Sequence, residues 1–328
     1  MRWALSTAAK LLLHHGHGLA KVICYNITFE RWCGYEPRDR DGQADCVAHA
    51  LERGQAFGRR GIGDGWIMGV GRLGIGLVAL MGLDPLISLH DVTVAYDRHP
   101  AIHHLSCGFL AGSLTAVVGP NGAGKSTLIK TIAGLMRPLE GSVRLSGVVP
   151  MDIAYLPQLA SIDDSFPISV RDVVLLGLWR RSGAFGGITR AMCAEASKAL
   201  STVGLDGFED RPFGSVSAGQ RQRVLFARVL IANSPLILLD EPFSAVDSRT
   251  VADLIRLIER WHQVGRTVVA VLHDHDQVRR HFPDCLLLAR ELVACGATED
   301  VLSSGNLLRA RAMSEAWDDD ADICRGAA

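Results

Sequence analysis

The feature that most restricts the fold of this chain is a glycine-rich segment between an apolar run and a helical pattern. Residues 119–127 read Gly-Pro-Asn-Gly-Ala-Gly-Lys-Ser-Thr, which matches the phosphate-binding pattern G-x-x-x-x-G-K-[ST]. Residues 113–118 before it predict a strand, and residues 125–136 after it predict a helix. Glycines let backbone N–H groups surround phosphate oxygens, and the helix N-terminus adds a partial positive charge. The segment therefore predicts a layered α/β domain with a phosphate site.

Every residue of this loop is a candidate for nucleotide binding. The candidates are Gly119, Pro120, Asn121, Gly122, Ala123, Gly124, Lys125, Ser126 and Thr127. We expect Lys125 to reach the β- and γ-phosphates of ATP, where its charge would also serve catalysis. The hydroxyl of Ser126 is expected to be a ligand of Mg²⁺.

A second apolar run ends in two carboxylates. Residues 236–239 are Leu-Ile-Leu-Leu and predict a buried parallel strand that is followed by Asp240 and Glu241. Ligands of parallel sheets collect at the carboxyl ends of the strands. We therefore expect Asp240 to hold Mg²⁺, and Glu241 to orient and polarise the attacking water. Alone the pattern is weak, but downstream of a phosphate-binding loop it is strong.

Five further positions, in their order and spacing, make residues 86–308 resemble the ABC ATPase family. Residues 216–220 read Val-Ser-Ala-Gly-Gln and look like the family's LSGGQ signature, which opens a helix. The resemblance implies that Ser217, Ala218, Gly219 and Gln220 complete the ATP site of an opposite protomer. Alanine at position 218 and valine at position 216 depart from the usual glycine and leucine. One added methyl group predicts tolerance rather than loss of function.

The other four positions take their roles from the same resemblance. Tyr96 matches the aromatic residue that stacks on adenine, and Gln158 matches the Q-loop residue that contacts Mg²⁺ or water and the membrane subunit. Asp247 matches the D-loop at the dimer interface. His273 matches the switch histidine at the γ-phosphate. Each residue alone would be unremarkable, and their ordered set supports the functional interpretation.

The implied fold class is α/β, with a P-loop NTPase (RecA-like) core, an antiparallel β subdomain and an α-helical subdomain at about residues 159–228. The local patterns agree with this fold. Strands are predicted at residues 87–95, 101–109, 152–156 and 267–272, a helix at residues 250–263, and mostly helix at 169–228 with a break at 182–187. The ATPase domain is expected to span residues 81–312, followed by an acidic tail at 313–328.

Residues 1–80 form the least interpretable part of the sequence. They show no sustained period of 2 or 3.6, and we predict a poorly structured leader. One interpretation is a real extension in which the histidines, Cys24 and Cys33 are possible metal ligands. The favoured one is translated upstream DNA before a natural start at Met81. Residues 1–20 lack the long apolar stretch of a signal peptide. Residues 66–83 are apolar but contain Arg72 and five glycines, so they make a poor membrane span.

Composition excludes some classes of protein. A formal net charge of −1 gives no electrostatic basis for nucleic-acid binding. Eight cysteines without a CxxC pair predict reduced, cytosolic thiols. Arg221 and Arg223 are expected to be surface or packing residues. His275 and Asp276 are expected on a solvated loop rather than at a zinc site.

Within the family, the chain resembles the ATPases of bacterial zinc and manganese importers. Residues 240–247 and 266–274 carry this likeness, and residues 96–104, 281–283 and 286–291 extend it to the zinc-uptake branch. The resemblance implies a head-to-tail dimer of two copies, a permease in the membrane and, indirectly, a periplasmic metal-binding protein. It places the chain peripherally at the cytoplasmic face of the inner membrane.

Three alternatives stay open at this stage. The first is an exporter ATPase, or an importer ATPase for another cargo such as chelated iron. The second is a soluble ABC ATPase of DNA repair, chromosome structure or translation. No sustained heptads separate Lys125 from Ser217, and only one cassette is present, which argues against it. The third is a regulator that binds nucleotide without hydrolysis, but Glu241 and His273 are both in place.

Overall fold

The computed structural model describes residues 85–96, 99–162, 165–183 and 186–315. Expectations for residues 1–80, and for the acidic tail beyond residue 315, lie outside these ranges. The described chain folds into two sheets and surrounding helices. The strands are β1 (Ile87–Tyr96), β2 (His99–Phe109), β3 (Leu114–Val118), β4 (Glu140–Leu145), β5 (Ile153–Leu156), β6 (Leu236–Asp240), β7 (Thr267–Val271), β8 (Asp284–Ala289) and β9 (Glu291–Ala297).

A mostly parallel six-stranded sheet forms the centre of the fold. Its strand order is β5-β6-β7-β3-β8-β9, and only β9 runs antiparallel to its neighbour. Every residue of β3, β6 and β7 is buried, as uninterrupted apolar runs predict for strands covered on both faces. Strands β2, β1 and β4 form a separate antiparallel sheet. The expected α/β class with an antiparallel β subdomain is confirmed.

The helices cover the faces and the end of the central sheet. They are α1 (Lys125–Ile132), α2 (Val170–Leu175), α3 (Trp179–Ser182), α4 (Arg190–Thr202), α5 (Ala218–Ala232), α6 (Ser248–Gln263), α7 (His275–His281), α8 (Thr298–Val301) and α9 (Ser304–Glu315). Short polar residues that favour helix starts cap five of them: Ser169, Thr189, Ser217, Asp247 and Asp274. Within the described ranges, no helix is both long enough and apolar enough to cross a membrane.

Strand alternation divides the core into two clusters, one on each face of the central sheet. Ile237 and Leu239 point into a cluster shared with α2, α4 and α5. Leu236 and Leu238 point to the opposite face, which packs against α1 and the antiparallel sheet. The sheet is thus held between the helical subdomain and the β subdomain, and the carboxyl ends of its strands stay open for a site.

Helix α1 is shorter than the sequence pattern predicts. It ends at Ile132 rather than Met136, because Gly134 adopts a left-handed φ of 74°. Leu135 N donates to Lys130 O at 2.8 Å and Gly134 N donates to Thr131 O at 3.1 Å. These two bonds satisfy the last carbonyls and stop the helix.

Two other expectations need correction. Residues 203–217 interrupt the stretch expected to be mostly helical, since they hold only one 3₁₀ turn, Phe213–Ser215. His275 and Asp276 do not lie on a loop, because Asp274 caps the N-terminus of α7 and both residues fall in its first turn. The carboxylate of Asp274 accepts from the N–H groups of Asp276 and Gln277, which is why the helix begins there.

Candidate nucleotide-hydrolysis site

The phosphate-binding loop lies between β3 and α1, as the sequence predicts, and two of its glycines cannot be replaced. A Cβ on Gly119 would lie 2.0 Å from Leu288 O, and one on Gly124 would lie 2.2 Å from Ala101 O. Both glycines also have φ values of the left-handed side, 151° and 88°. The loop is thereby pressed against β8 on one side and β2 on the other.

Lys125 lies inside this loop. Its side chain is buried, and Nζ donates to Gly119 O at 2.9 Å and to Pro120 O at 2.7 Å. Burial lowers the pKa of Lys125, and the negative charges of Glu241 and Asp240 partly oppose this shift. A phosphate group would offer the ammonium a far better acceptor than two carbonyl oxygens.

Asp240 and Ser126 form the second part of the site. Ser126 Oγ donates to Asp240 Oδ1 at 2.8 Å, and Asp240 is fully buried at the end of β6. Burial raises the pKa of Asp240, although the Ser126 bond acts in the opposite direction. Its other oxygen, Oδ2, is buried and makes no hydrogen bond of good geometry among the described residues, although the Tyr155 hydroxyl is close enough to act on the pKa of this carboxyl group. A hydroxyl beside a carboxylate with a free oxygen is a donor set that fits Mg²⁺.

Glu241 follows directly and is held by two other predicted site residues. Gln158 Nε2 donates to Glu241 Oε2 at 2.9 Å, and His273 Nε2 lies 2.9 Å from Glu241 Oε1. Glu241 has a left-handed φ of 50°, which is uncommon for a residue with a side chain. The carboxyl ends of β5, β6 and β7 thus bring Gln158, Glu241 and His273 together. Gln158 contacts Glu241, and its role as a metal ligand stays a prediction.

Tyr96 lies at the end of β1, close to the phosphate-binding loop. Its ring is about half exposed, and its hydroxyl lies 2.9 Å from Met136 Sδ and 3.4 Å from Thr127 Oγ1. An exposed aromatic face beside α1 can stack on a base without selecting it by hydrogen bonds.

The signature residues form the N-terminus of α5. Ser217 is its N-cap, and a capping box joins Ser217 N to Gln220 Oε1 at 2.9 Å and Gln220 N to Ser217 Oγ at 3.3 Å. Ser217 is exposed, while Ala218 and Gly219 are partly so. Val216 is buried and belongs to the core cluster under α5, so its apolar side chain does the packing expected of leucine. A helix N-terminus with small residues can approach a phosphate.

Asp247 lies at the surface, where it caps α6. Its carboxylate accepts from Thr250 N at 3.0 Å and from Thr250 Oγ1 at 2.7 Å. These two bonds keep the pKa of Asp247 below its ordinary value. The segment before it contains Ala245 with a left-handed φ of 60°, and this backbone places Asp247 at an exposed corner.

Two buried polar residues, Gln222 and Arg228, and the partly buried Tyr155 lie beside the site and were not predicted from the sequence. Gln222 is fully buried on α5 and donates to Pro242 O at 2.8 Å. Arg228 on the same helix donates to Tyr155 O at 2.6 Å, and burial lowers its pKa to about 10. Burial also raises the pKa of Tyr155, whose charged form the nearby Asp240 would repel. The available signal was the helical spacing, which places Gln222 and Arg228 among apolar residues of α5.

Comparison with known proteins identifies the family. The profile of the ABC transporter family matches residues 102–244. The manganese transport system ATP-binding protein MntB of Bacillus subtilis is 39% identical over 225 residues, which cover 67% of this chain and 90% of that protein. This chain belongs to the ABC transporter ATP-binding proteins. It is an ABC ATPase.

Two further proteins are similar to this ABC ATPase. The zinc transport system ATP-binding protein TroB of Treponema pallidum is 36% identical over 232 residues, covering 68% of this chain and 86% of that protein. Among solved structures, the dimeric post-hydrolysis state of an ATP-binding cassette bound to ADP and phosphate matches with a TM-score of 0.59 and 25% identity. That match covers 65% of this chain and 98% of the cassette. The fold class and the ATPase activity expected from the sequence are therefore confirmed.

Proposed function

We propose that this ABC ATPase powers the import of a divalent transition-metal ion, with zinc as the first candidate and manganese as the second. The observation that supports metal transport is the similarity to MntB and TroB, at 39% and 36% identity over most of the length of both proteins. The likeness of residues 96–104, 281–283 and 286–291 to the zinc-uptake branch favours zinc. Manganese stays the second candidate because MntB is named as part of a manganese transport system.

In the proposed chemistry, the phosphate-binding loop and Lys125 hold the triphosphate of ATP. Lys125 Nζ exchanges its two carbonyl acceptors for phosphate oxygens, which stabilises its buried charge. Ser126 and Asp240 would hold Mg²⁺, which neutralises phosphate charge when it is bound. The free and buried Oδ2 of Asp240 is the atom that supports this assignment. Tyr96 stacks on the adenine base.

Glu241 orients the attacking water and accepts its proton. The water oxygen forms a bond to the γ-phosphorus while the bond from that phosphorus to the β-bridging oxygen breaks, and ADP leaves with that electron pair. Gln158 and His273 each hold one oxygen of the Glu241 carboxylate. Both partners lie on loops at neighbouring strand ends, so the position of the base follows the position of these loops.

We propose that the working form is a head-to-tail dimer. Ser217, Ala218, Gly219 and Gln220 of one copy would contact the γ-phosphate held by the other, and Asp247 would lie at the interface. Support comes from the exposed N-terminus of α5 and from the similarity to a dimeric cassette with ADP and phosphate. Closure and reopening would move a permease that contacts the Gln158 loop and the helical subdomain. In this proposed arrangement, the chain would lie at the cytoplasmic face of the inner membrane, with a periplasmic metal-binding protein as an indirect partner.

Metal starvation of a strain that lacks the gene tests the cargo. We expect growth to stop when zinc is chelated and to recover when zinc is added. The same concentration of manganese should not restore growth. Complementation should need the wild-type chain, since Glu241→Gln would be folded but unable to drive uptake. Rescue by manganese alone would establish the second candidate, and normal growth under depletion of either metal would refute metal import.

A further inference from the structure

Gln222 links the signature helix to the loop that carries the catalytic base. It lies on α5 one turn after the signature residues, and its side chain is fully buried. Nε2 donates to Pro242 O at 2.8 Å, and Pro242 directly follows Glu241. Oε1 has no partner among the described residues. A buried amide costs stability unless its hydrogen bonds are made, so a buried glutamine at this position needs a reason.

The loop after Glu241 has a backbone that must be held in place. Glu241 and Ala245 both have left-handed φ values, 50° and 60°, which cost energy for residues with a Cβ. Ser244 Oγ donates to Glu241 O at 2.8 Å, and Ser244 N does so at 3.3 Å. These bonds close the loop on itself, whereas the Gln222 bond fixes it to a helix outside the loop.

The first turn of α5 also lies directly against this loop. A Cβ on Gly219 would be 3.1 Å from Ala245 O, a distance tighter than an ordinary contact. The signature turn therefore lies close to Ala245, and Gln222 bonds Pro242, which lies three residues earlier in the same loop. A shift of α5 along its axis would change both contacts together, because the helix is rigid.

We propose that Gln222 is a positioning residue for hydrolysis, which keeps Glu241 in register with the helix that carries the signature turn. The inference rests on the roles proposed above for Glu241 and for the signature residues. When the signature turn engages the nucleotide of the other copy, α5 takes its closed position, and the bond to Pro242 carries the base loop with it. Gln222 is fully buried and bonds the loop after Glu241 rather than the phosphate-binding loop, so its loss should change the chemical step and leave binding of the nucleotide intact.

The test is a steady-state ATPase assay of the full chain with Gln222→Met, which keeps the volume and removes the donor. We expect kcat to fall about tenfold, the effect of losing about one buried hydrogen bond at the base. The Kd for a fluorescent ADP analogue should stay within about twofold. Arg223→Met is the matched control, since Arg223 Nη1 reaches the carbonyls of Val203 and Gly204 at 3.5 and 3.4 Å, away from Glu241. It should leave kcat within about twofold.

Gln222→Glu provides a second variant if Gln222→Met does not fold. A carboxyl group buried at this position would be protonated and could donate to Pro242 O, so kcat should be close to wild type at mildly acidic pH. It should fall more steeply than that of the wild type as pH rises. A wild-type kcat in Gln222→Met, or equal losses of kcat and ADP affinity, would overturn the proposal. Glu241→Gln, measured in parallel, distinguishes failure of this proposal from failure of the proposed function. Normal turnover in Glu241→Gln would refute the assignment of the site, whatever the result for Gln222.

Discussion

The side chains of His273 and Glu241 meet at the ends of neighbouring strands, with His273 Nε2 2.9 Å from Glu241 Oε1. Gln158 Nε2 holds the other carboxylate oxygen at the same distance. Two loops that are remote in sequence thus define the direction of one carboxylate. A carboxylate held by hydrogen bonds on both oxygens keeps one direction, which suits it to orient a water molecule at the γ-phosphate.

This arrangement predicts the behaviour of Glu241→Gln. The amide keeps the shape of the side chain but cannot take a proton, so we expect kcat to fall at least about 100-fold. ATP binding should persist, and the protein should accumulate as a closed dimer when ATP is present. Size-exclusion chromatography with and without ATP, beside a phosphate-release assay, measures both effects. Normal turnover would remove Glu241 as the base.

Lys125→Met should weaken nucleotide binding without lowering the stability of the nucleotide-free protein. Burial already lowers the pKa of Lys125 in the free protein, so its charge is a cost that a phosphate partner offsets. We expect the affinity for MgATP to fall at least about 30-fold, as for loss of one member of a buried charged pair. The melting temperature without nucleotide should not decrease. Calorimetric titration and thermal melting measure the two quantities, and undiminished affinity would contradict the assignment of the loop.

Asp240→Asn should stabilise the fold in a pH-dependent way. Burial raises the pKa of Asp240 above its ordinary value of 3.8, so the folded state binds a proton more tightly than the unfolded chain does. The contribution of Asp240 to the free energy of unfolding is then fully present below that ordinary value, and it is lost as pH rises through the raised pKa. Asparagine avoids this loss, so at neutral pH the variant should melt about 2–4 °C higher, a shift that corresponds to about 1 kcal/mol.

The advantage of Asp240→Asn should disappear in acid, where both forms are neutral. Thermal melts over a range of pH measure it, and Ser126→Ala serves as the control because it removes the bond but keeps the carboxylate. A variant that is less stable than the wild type at neutral pH would show that the carboxylate is not an energetic cost.

Removal of residues 1–80 tests the proposed boundary of the ATPase domain. Among the residues that the structure describes, the first buried one in the β subdomain is Ile87 in β1, which follows the proposed start at Met81. We expect the shortened chain to keep kcat within about twofold of the full chain and to show the same melting temperature. Loss of folding, seen by circular dichroism, would show that the leader belongs to the domain.

Motifs whose residue types are required by steric or burial constraints were predictable from the sequence. The phosphate loop needs glycines where a Cβ would collide with Ala101 and Leu288, and the buried strand β6 has to be apolar up to Asp240. The positions of the site residues in the sheet then follow, because the carboxyl ends of parallel strands lie along the same edge. Local capping was harder to predict. The stop at Gly134 and the start at Asp274 each depend on one or two hydrogen bonds, which a periodic pattern does not contain.

The buried polar residues mark the second limit of prediction. Helix α5 is buried on most of its surface, so its sequence lacks the polar face that would set Gln222 and Arg228 apart. Their partners are the backbone carbonyls of Pro242 and Tyr155, and a carbonyl is present at every position of every sequence. Only the folded chain shows which carbonyl each side chain reaches.

The contact of Gly124 with β2 has a consequence for how nucleotides are released. Because Gly124 of the phosphate-binding loop packs against β2 and Tyr96 lies on the adjacent β1, the contacts proposed for the base and for the phosphates would both come from the same copy. ADP would therefore remain attached after the γ-phosphate leaves, while the bridge to the second copy is lost. Hydrolysis of the β–γ phosphate bond would thus allow the two copies to separate before ADP is released.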